Sequence, residues 1–336
     1  MQEIRQSLLG YWRREARDLP WRRTRDPYRI WVSEIMLQQT QVTTASGRYV
    51  RFLKRFPDVH TLANAGVDAV CEEWAGLGYY SRAKNLHAAA CCIVEDYGGR
   101  LPRQFEALQS LPGIGRYTAG AIASIAHGLA VPAVDANAER VLSRLFAVDG
   151  PPSSARTNHL WQLAAELAAS GDAGCINQAL MDVAAAFCRG SNPRCSACPL
   201  ADHCVARREG HPETYPVKKK KAVRAVLPVA MLWLSRDDGS LLIEQRAPTG
   251  LWAGQWQLPS EEGEGALERL LARIGCDARP GGVQVRHRLT HRDVIADLYR
   301  GTENFDRPVE RSRWTSSARE APVNALSRKM IRLILP

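Results

Sequence analysis

Along the first 187 residues, apolar positions recur at helical spacing. Runs such as LHAAACCIVEDYG (86–98) and HLWQLAAELAAS (159–170) follow a 3.6-residue period, and no convincing strand-like alternation interrupts them. Helices should stop where glycine and proline cluster, at Gly98-Gly99 before Pro102 and at Gly150 before Pro151-Pro152. After Cys204 the pattern changes. Residues 206–225 (ARREGHPETYPVKKKKAVRA) are polar and basic, with Pro212, Pro216 and the run Lys218 to Lys221, and read as an interdomain linker. Beyond them, VLPVAMLWL (226–234) and LLIEQR (241–246), joined by the turn RDDGS, read as strands. ALERLLARIG (266–275) reads as one amphipathic helix among further strands. The pattern therefore predicts a multidomain chain, an all-α part followed by an α/β part.

Composition narrows the class. A chain of 336 residues exceeds what one core usually organises, so two domains are expected and three are possible. With 45% hydrophobic and 24% charged residues it is an ordinary globular composition, which excludes a disordered or collagen-like chain. The net charge of +10 favours a polyanionic partner, nucleic acid or anionic membrane. That charge is uneven: residues from 225 onward carry 16 basic and 14 acidic side chains, a net +2, whereas the earlier part carries 29 and 21, a net +8. The helical part should hold the polyanion. No run approaches the roughly 18 to 20 apolar residues that span a bilayer. The opening MQEIRQSLLGYWRREARDLPW, with Glu3, Glu15 and Asp18, reads as neither signal nor transit peptide, so an intracellular, cytoplasmic location is expected.

Four segments carry candidate chemistry. Four of the nine cysteines, Cys188, Cys195, Cys198 and Cys204, fall within seventeen residues as C-x6-C-x2-C-x5-C. Four thiolates from one short loop suit either zinc or a [4Fe-4S] cluster, and spacing leaves both open. In LPGIGRYTAGAIASIA (111–126), Gly113 and Gly115 form a turn into an apolar helix opening near Tyr117. Backbone N–H groups bared there suit a phosphate, a sequence-independent grip on nucleic acid, although the same turn also serves plain helix connection. Asp135, in VDANAERVL, stands just ahead of a helix, where it or Asn137 suits an N-cap. Glu34 is the sole acid amid Ile30, Trp31, Val32, Ile35, Met36 and Leu37. A carboxyl desolvated by such neighbours keeps its proton near neutrality, as a general acid must, while a solvent-facing position would leave it an ordinary acid.

In this order and spacing, LPWR (19–22), WVSEIMLQQTQV (31–42), GLGYYSRAKNLH (76–87), LPGIGRYTAG (111–120), VDANAERVL (134–142) and the four cysteines resemble the helix-hairpin-helix DNA glycosylases. The likeness is strongest to the MutY family of adenine DNA glycosylases and covers most of the chain. It implies a [4Fe-4S] cluster on Cys188, Cys195, Cys198 and Cys204, with zinc the minor alternative. It makes Glu34 the acid that protonates adenine and Asp135 the carboxylate that stabilises the resulting cationic sugar, through space or by a transient bond. Tyr117 stands where the related endonuclease III family has a Schiff-base lysine, which implies a monofunctional enzyme, and it is expected to help position Asp135.

A base inside a duplex must be flipped out to be reached. The resemblance puts Gln39 and Tyr79 into the duplex as wedges, Gly113 and Gly115 on its backbone, Arg17, Trp21, Arg22 and Gln178 around the flipped adenine, and Asn137 near the sugar or water. It divides the chain into an iron-sulfur helical domain (1–24 and 130–205), a six-helix domain with the helix-hairpin-helix (25–129), the linker (206–225) and a Nudix-like domain (226–336). That last domain would recognise 8-oxoguanine through Leu289, Thr290 and His291, with Leu289 in place of the family's aromatic residue. Where a Nudix hydrolase carries glutamates for magnesium, the helix here offers Arg269, Ala272 and Arg273, so binding without hydrolysis is expected. The implied partner is duplex DNA with A:8-oxoguanine or A:G mispairs, bound by a monomer. The rival reading is a bifunctional endonuclease III type enzyme acting on oxidised pyrimidines.

Overall fold

The computed structural model describes residues 1–169, 171–217, 224–289, 292–301 and 309–335. The chain forms two compact units, Met1–Lys220 and Lys221–Pro336. Among the described residues, no helix is long and apolar enough to cross a membrane.

The first unit is helical: α1 (Gln2–Glu15), α2 (Pro27–Leu37), α3 (Val42–Arg55), α4 (Val59–Asn64), α5 (Val67–Glu73), α6 (Ser81–Tyr97), α7 (Phe105–Gln109), α8 (Arg116–Ile125), α9 (Ala136–Leu145), α10 (Ser154–Ala168), α11 (Ala173–Ala186) and α12 (Val205–Arg208). Local chemistry sets the ends. Asp26 caps α2 by accepting from Tyr28 N–H, with Pro27 at the first helical position, where its missing N–H is not needed. Gly98 ends α6 in the left-handed conformation, where the glycine pair suggested a stop. Asp135, not Asn137, caps α9, its carboxylate accepting from Asn137 and Ala138 N–H.

Two apolar cores fill this unit. One gathers Trp31, Phe52, Leu62, Trp74, Leu86 and Ile122 from α2 to α8; the other gathers Leu8, Leu142, Leu160, Ile176 and Leu180 from α1 and α9 to α11. Where α8 meets α11 the backbones run close. A Cβ on Gly174 would sit 2.7 Å from Ser124 O, and one on Gly120 would run into Pro132 O of the segment leading to α9. Buried Asn177 of α11 joins these parts, donating to Ser124 Oγ (2.9 Å) and Val131 O (3.0 Å) and accepting from Ala133 N–H (3.2 Å). The segment leading into Asp135 is thereby fixed against α8.

The second unit holds β1 (Ala225–Trp233), β2 (Leu241–Gln245), β3 (Trp256–Gln257), β4 (Ser260–Glu262), α13 (Ala266–Ile274), β5 (Ala278–Arg288), β6 (Arg292–Gly301), β7 (Ser312–Thr315) and α14 (Ala325–Ile334). One sheet runs β4-β1-β6-β5 with β1 and β6 parallel; the other runs β3-β2-β7, all antiparallel. The unbroken apolar run of β1 is explained by burial on both faces. Val229, Met231 and Trp233 join one core with α14, while Ala230 and Leu232 join the other with α13.

Candidate active site

Six of the sequence-selected residues line one cavity in the helical unit: Arg17, Trp21, Arg22, Glu34, Tyr117 and Gln178. It holds about 60 Å³. Glu34 lies on α2, 6% exposed, and α8 supplies its nearest polar partner. The Tyr117 hydroxyl donates to Glu34 Oε2 at 2.7 Å. Packing of α2 on α8 brings the Tyr117 hydroxyl to Glu34, so Tyr117 orients Glu34, while Asp135, the partner expected from the resemblance, reaches Tyr117 through its charge.

Burial lifts the Glu34 carboxyl from 4.5 to about 7; the Tyr117 hydrogen bond opposes the rise, the charge of Asp135 adds to it, and Arg22 weakly opposes it. Tyr117 is pushed well above its ordinary value by the same burial and by Glu34, so it is a hydroxyl donor at every relevant pH. Asp135 does not line the cavity, but its charge is felt by both groups. Its Oδ2 accepts from Asn137 Nδ2 (2.8 Å), and Asn137 Oδ1 in turn accepts from Arg140 Nη2 (3.1 Å).

The sequence reading missed a residue that holds two of the arginines lining the cavity. Asp182, 1% exposed on α11, accepts from Arg17 Nε at 2.5 Å and from Arg22 Nη1 and Nη2 at 2.6 and 3.0 Å. Asp182 thus pairs with both arginines, and the charge of Arg22 reaches Glu34 as the smallest of the influences on its pKa. The signal was available: Asp182 is the sole acid of an apolar helix and lies four residues after Gln178, on the same face.

The other selected residues fall elsewhere. Gln39 and Tyr79 are exposed, in the turns before α3 and α6, and both have positive φ. Gly113 has φ of +74°, and a Cβ there would lie 2.7 Å from Asn85 Cβ; Gly115 caps α8 in extended backbone that any residue adopts. Leu289 packs partly buried on the second unit's core, and Thr290 and His291 lie outside the described residues, as do Lys218 to Lys221.

Cys188, Cys195, Cys198 and Cys204 line a single cavity. Among the described residues, no three or more His, Cys, Asp or Glu side chains group closely enough for one metal ion. Four thiols lining one cavity are a donor set that both zinc and an iron-sulfur cluster accept. Burial pushes the Cys198 thiol up to about 11 and raises Cys195 and Cys204. Such thiols ionise only against added positive charge. Buried Arg144 donates to Cys188 Sγ (3.4 Å) and to Arg189 O (2.6 Å), and Arg140 Nε to Cys188 O (2.7 Å), so α9 supports both this loop and Asp135.

In the second unit, Arg273 of α13 lies between Glu244 and Glu261, 2.8 Å from each. Arg269 donates to the carbonyls of Glu262 and Glu264.

Residues 32–166 match the family described as HhH-GPD superfamily base excision DNA repair protein, and residues 230–333 match the NUDIX domain. The adenine DNA glycosylase of Homo sapiens is 46% identical over 215 residues, 61% of this chain and 39% of that protein, so the chain spans well under half of that relative. The adenine DNA glycosylase of Buchnera aphidicola subsp. Acyrthosiphon pisum (strain APS) is 34% identical over 251 residues, covering 74% of this chain and 71% of that protein. The chain belongs to the adenine DNA glycosylase family. Among solved structures, a thermostable thymine-DNA glycosylase superposes with a TM-score of 0.56 at 30% identity, over 62% of this chain and 98% of that one. The family's helical core and its Nudix-like domain thus correspond to the two compact units.

Proposed function

We propose that the protein is a monofunctional adenine DNA glycosylase that removes adenine mispaired with 8-oxoguanine, or less readily with guanine, and leaves an abasic site. The observation that carries this reading is Glu34: a buried carboxyl with its pKa near 7, beside a cavity walled by Trp21, Arg22 and Gln178. An acid whose pKa lies near the working pH is suited to give up its proton in the reaction. Adenine leaves poorly as an anion, so Glu34 protonates N7 as the glycosidic bond breaks. Asp135, held by the first N–H groups of α9 and by Asn137, stabilises the oxocarbenium-like sugar. Tyr117 offers no amine, so a Schiff base does not form and the strand stays intact.

Gln39 and Tyr79 enter the duplex, while the turn through Gly113 and Gly115 grips its backbone. Cys188, Cys195, Cys198 and Cys204 hold a [4Fe-4S] cluster, which when bound cross-links the loop beside α9. The unit from residue 226 reads 8-oxoguanine through Leu289, Thr290 and His291 and does not hydrolyse nucleotides, since Arg273 stands among its remaining acids. The enzyme works as a monomer on duplex DNA in the cytoplasm.

The test is a single-turnover assay on a duplex with one A:8-oxoguanine pair, quenched with and without alkali, beside a duplex containing thymine glycol. Breaks at adenine that require alkali support the reading. Alkali-independent cleavage at thymine glycol places the chain with the bifunctional enzymes instead.

A further inference from the structure

Gln39 and Tyr79 lie forty residues apart yet share one backbone peculiarity. Their φ angles are +54° and +48°, a region that bulky L-residues occupy only when the surroundings hold them there. Both are exposed, Tyr79 at 57%. A single buried side chain ties the two turns together. Arg82, 8% exposed in the first turn of α6, donates from Nη1 to the carbonyls of Ile35 (2.8 Å), Met36 (3.0 Å) and Gln38 (2.5 Å). From Nη2 it donates to Thr40 Oγ1 (3.2 Å) and to the carbonyls of Leu77 (2.9 Å) and Gly78 (3.1 Å). Its guanidinium also lies over the rings of Trp74 and Tyr79, at 5.3 and 5.7 Å.

The placement has a physical logic. A cation at a helix N-terminus is disfavoured by that helix's dipole, so α6 itself gives Arg82 no reason to be buried there. The favourable field comes from the other side, where α2 ends and its last carbonyls lack intrahelical donors. The planar fork then spans both turns at once, which the point charge of a lysine cannot do. Gln39 is flanked by two of the six Arg82 acceptors, Gln38 and Thr40, and Tyr79 follows directly on two more, Leu77 and Gly78.

We propose that Arg82 is a positioning residue for base extrusion, locking Gln39 and Tyr79 into one two-pronged wedge with fixed separation. The proposal rests on the reading above, in which these two side chains enter the duplex. Its test uses Arg82→Lys, checked for native folding by circular dichroism, on two substrates. In the first, the target adenine is stacked opposite 8-oxoguanine beside a 2-aminopurine reporter; in the second, the same adenine sits unstacked in a bulge. Arg82→Lys should slow excision from the stacked pair at least tenfold and diminish the fluorescence rise on binding, while excision from the bulge changes less than threefold.

Equal slowing on both substrates, or on neither, overturns the proposal. Should Arg82→Lys fail to fold, Thr40→Val, which removes one acceptor, carries the same test with a few-fold selective loss expected, and no selective loss counts against it. A cycle separates the two layers of argument. Adding Arg82→Lys, or Thr40→Val in its stead, to Gln39→Ala/Tyr79→Ala should produce no further loss, and additive loss refutes action through the wedge. If Gln39→Ala/Tyr79→Ala extrudes and excises normally, the wedge reading itself fails and the proposal falls with it.

Discussion

Glu34 in the helical unit and Glu244 in the second unit are buried to nearly the same depth, 6% and 7% exposed, in unlike company. Glu244 receives Arg273 at 2.8 Å, Gln257 Nε2 at 3.0 Å and Ser260 N–H at 2.9 Å. Glu34 receives one tyrosine hydroxyl, although two arginines line the same cavity. The difference lies in Asp182, which takes up both Arg17 and Arg22. Carboxyls at equal depth therefore have different partners: Glu244 has a guanidinium, whereas Glu34 has a hydroxyl, and burial lifts the Glu34 pKa to about 7.

The comparison can be broken most severely at Glu34 itself. Glu34→Gln removes the proton donor and should slow base release by about 10² to 10⁴, the usual span for general acid catalysis, with mismatch binding retained in a filter or gel-shift measurement. The same variant should be more stable. A carboxyl whose folded pKa is raised contributes fully below the unfolded value of 4.5 and loses that contribution as pH rises through about 7. Holding it there costs about 3 kcal/mol above pH 7, so Glu34→Gln should gain most in denaturant unfolding at pH 8 and least at pH 4.

Asp182→Asn attacks the pairing that holds both arginines. Freed from their shared carboxylate, Arg17 and Arg22 can turn to Glu34 and favour its ionised form, so the pH at which activity declines should move down and the rate at pH 7.5 should fall about tenfold, as a lowering of one pKa unit implies. An unchanged pH profile in a folded variant would mean that Asp182 does not shield Glu34.

Arg273→Ala breaks the other half. Leaving a buried carboxylate unpaired costs several kcal/mol, here reduced to about 2 kcal/mol because Arg273 is itself 36% exposed. Unfolding of the second unit should register that loss, and excision from an A:G pair should change less than twofold. Tyr117→Phe is the mildest change. It removes the hydrogen bond that lowers the Glu34 pKa, so the decline in activity should shift to higher pH, with only a few-fold change in rate at pH 7.

Much of this was legible in the chain. Glu34 and the cysteine loop stand out because polar or sulfur-bearing residues break an otherwise apolar or dispersed pattern, and the helix stop at Gly98 and the cap at Asp135 are local effects that local sequence encodes. Asp182 meets the same criterion as Glu34 and was passed over because its partners, Arg17 and Arg22, lie some 160 residues away. The partner of Tyr117 depends on how α2 packs on α8, and that of Arg82 on how two distant turns meet, so neither follows from spacing. An arginine in sequence reads as solvated charge; only the fold shows which ones are buried. The parallel pairing of β1 with β6 is likewise non-local and left no trace in alternation.

The most direct test of the central claim is the pH dependence of single-turnover adenine release, with enzyme in excess over an A:8-oxoguanine duplex, from pH 5.5 to 9. A donor with its pKa near 7 predicts a plateau below that pH and a tenfold fall per pH unit above it, with this limb absent in Glu34→Gln. A rate that stays level or rises through pH 8 would contradict the assignment of Glu34 as the proton donor.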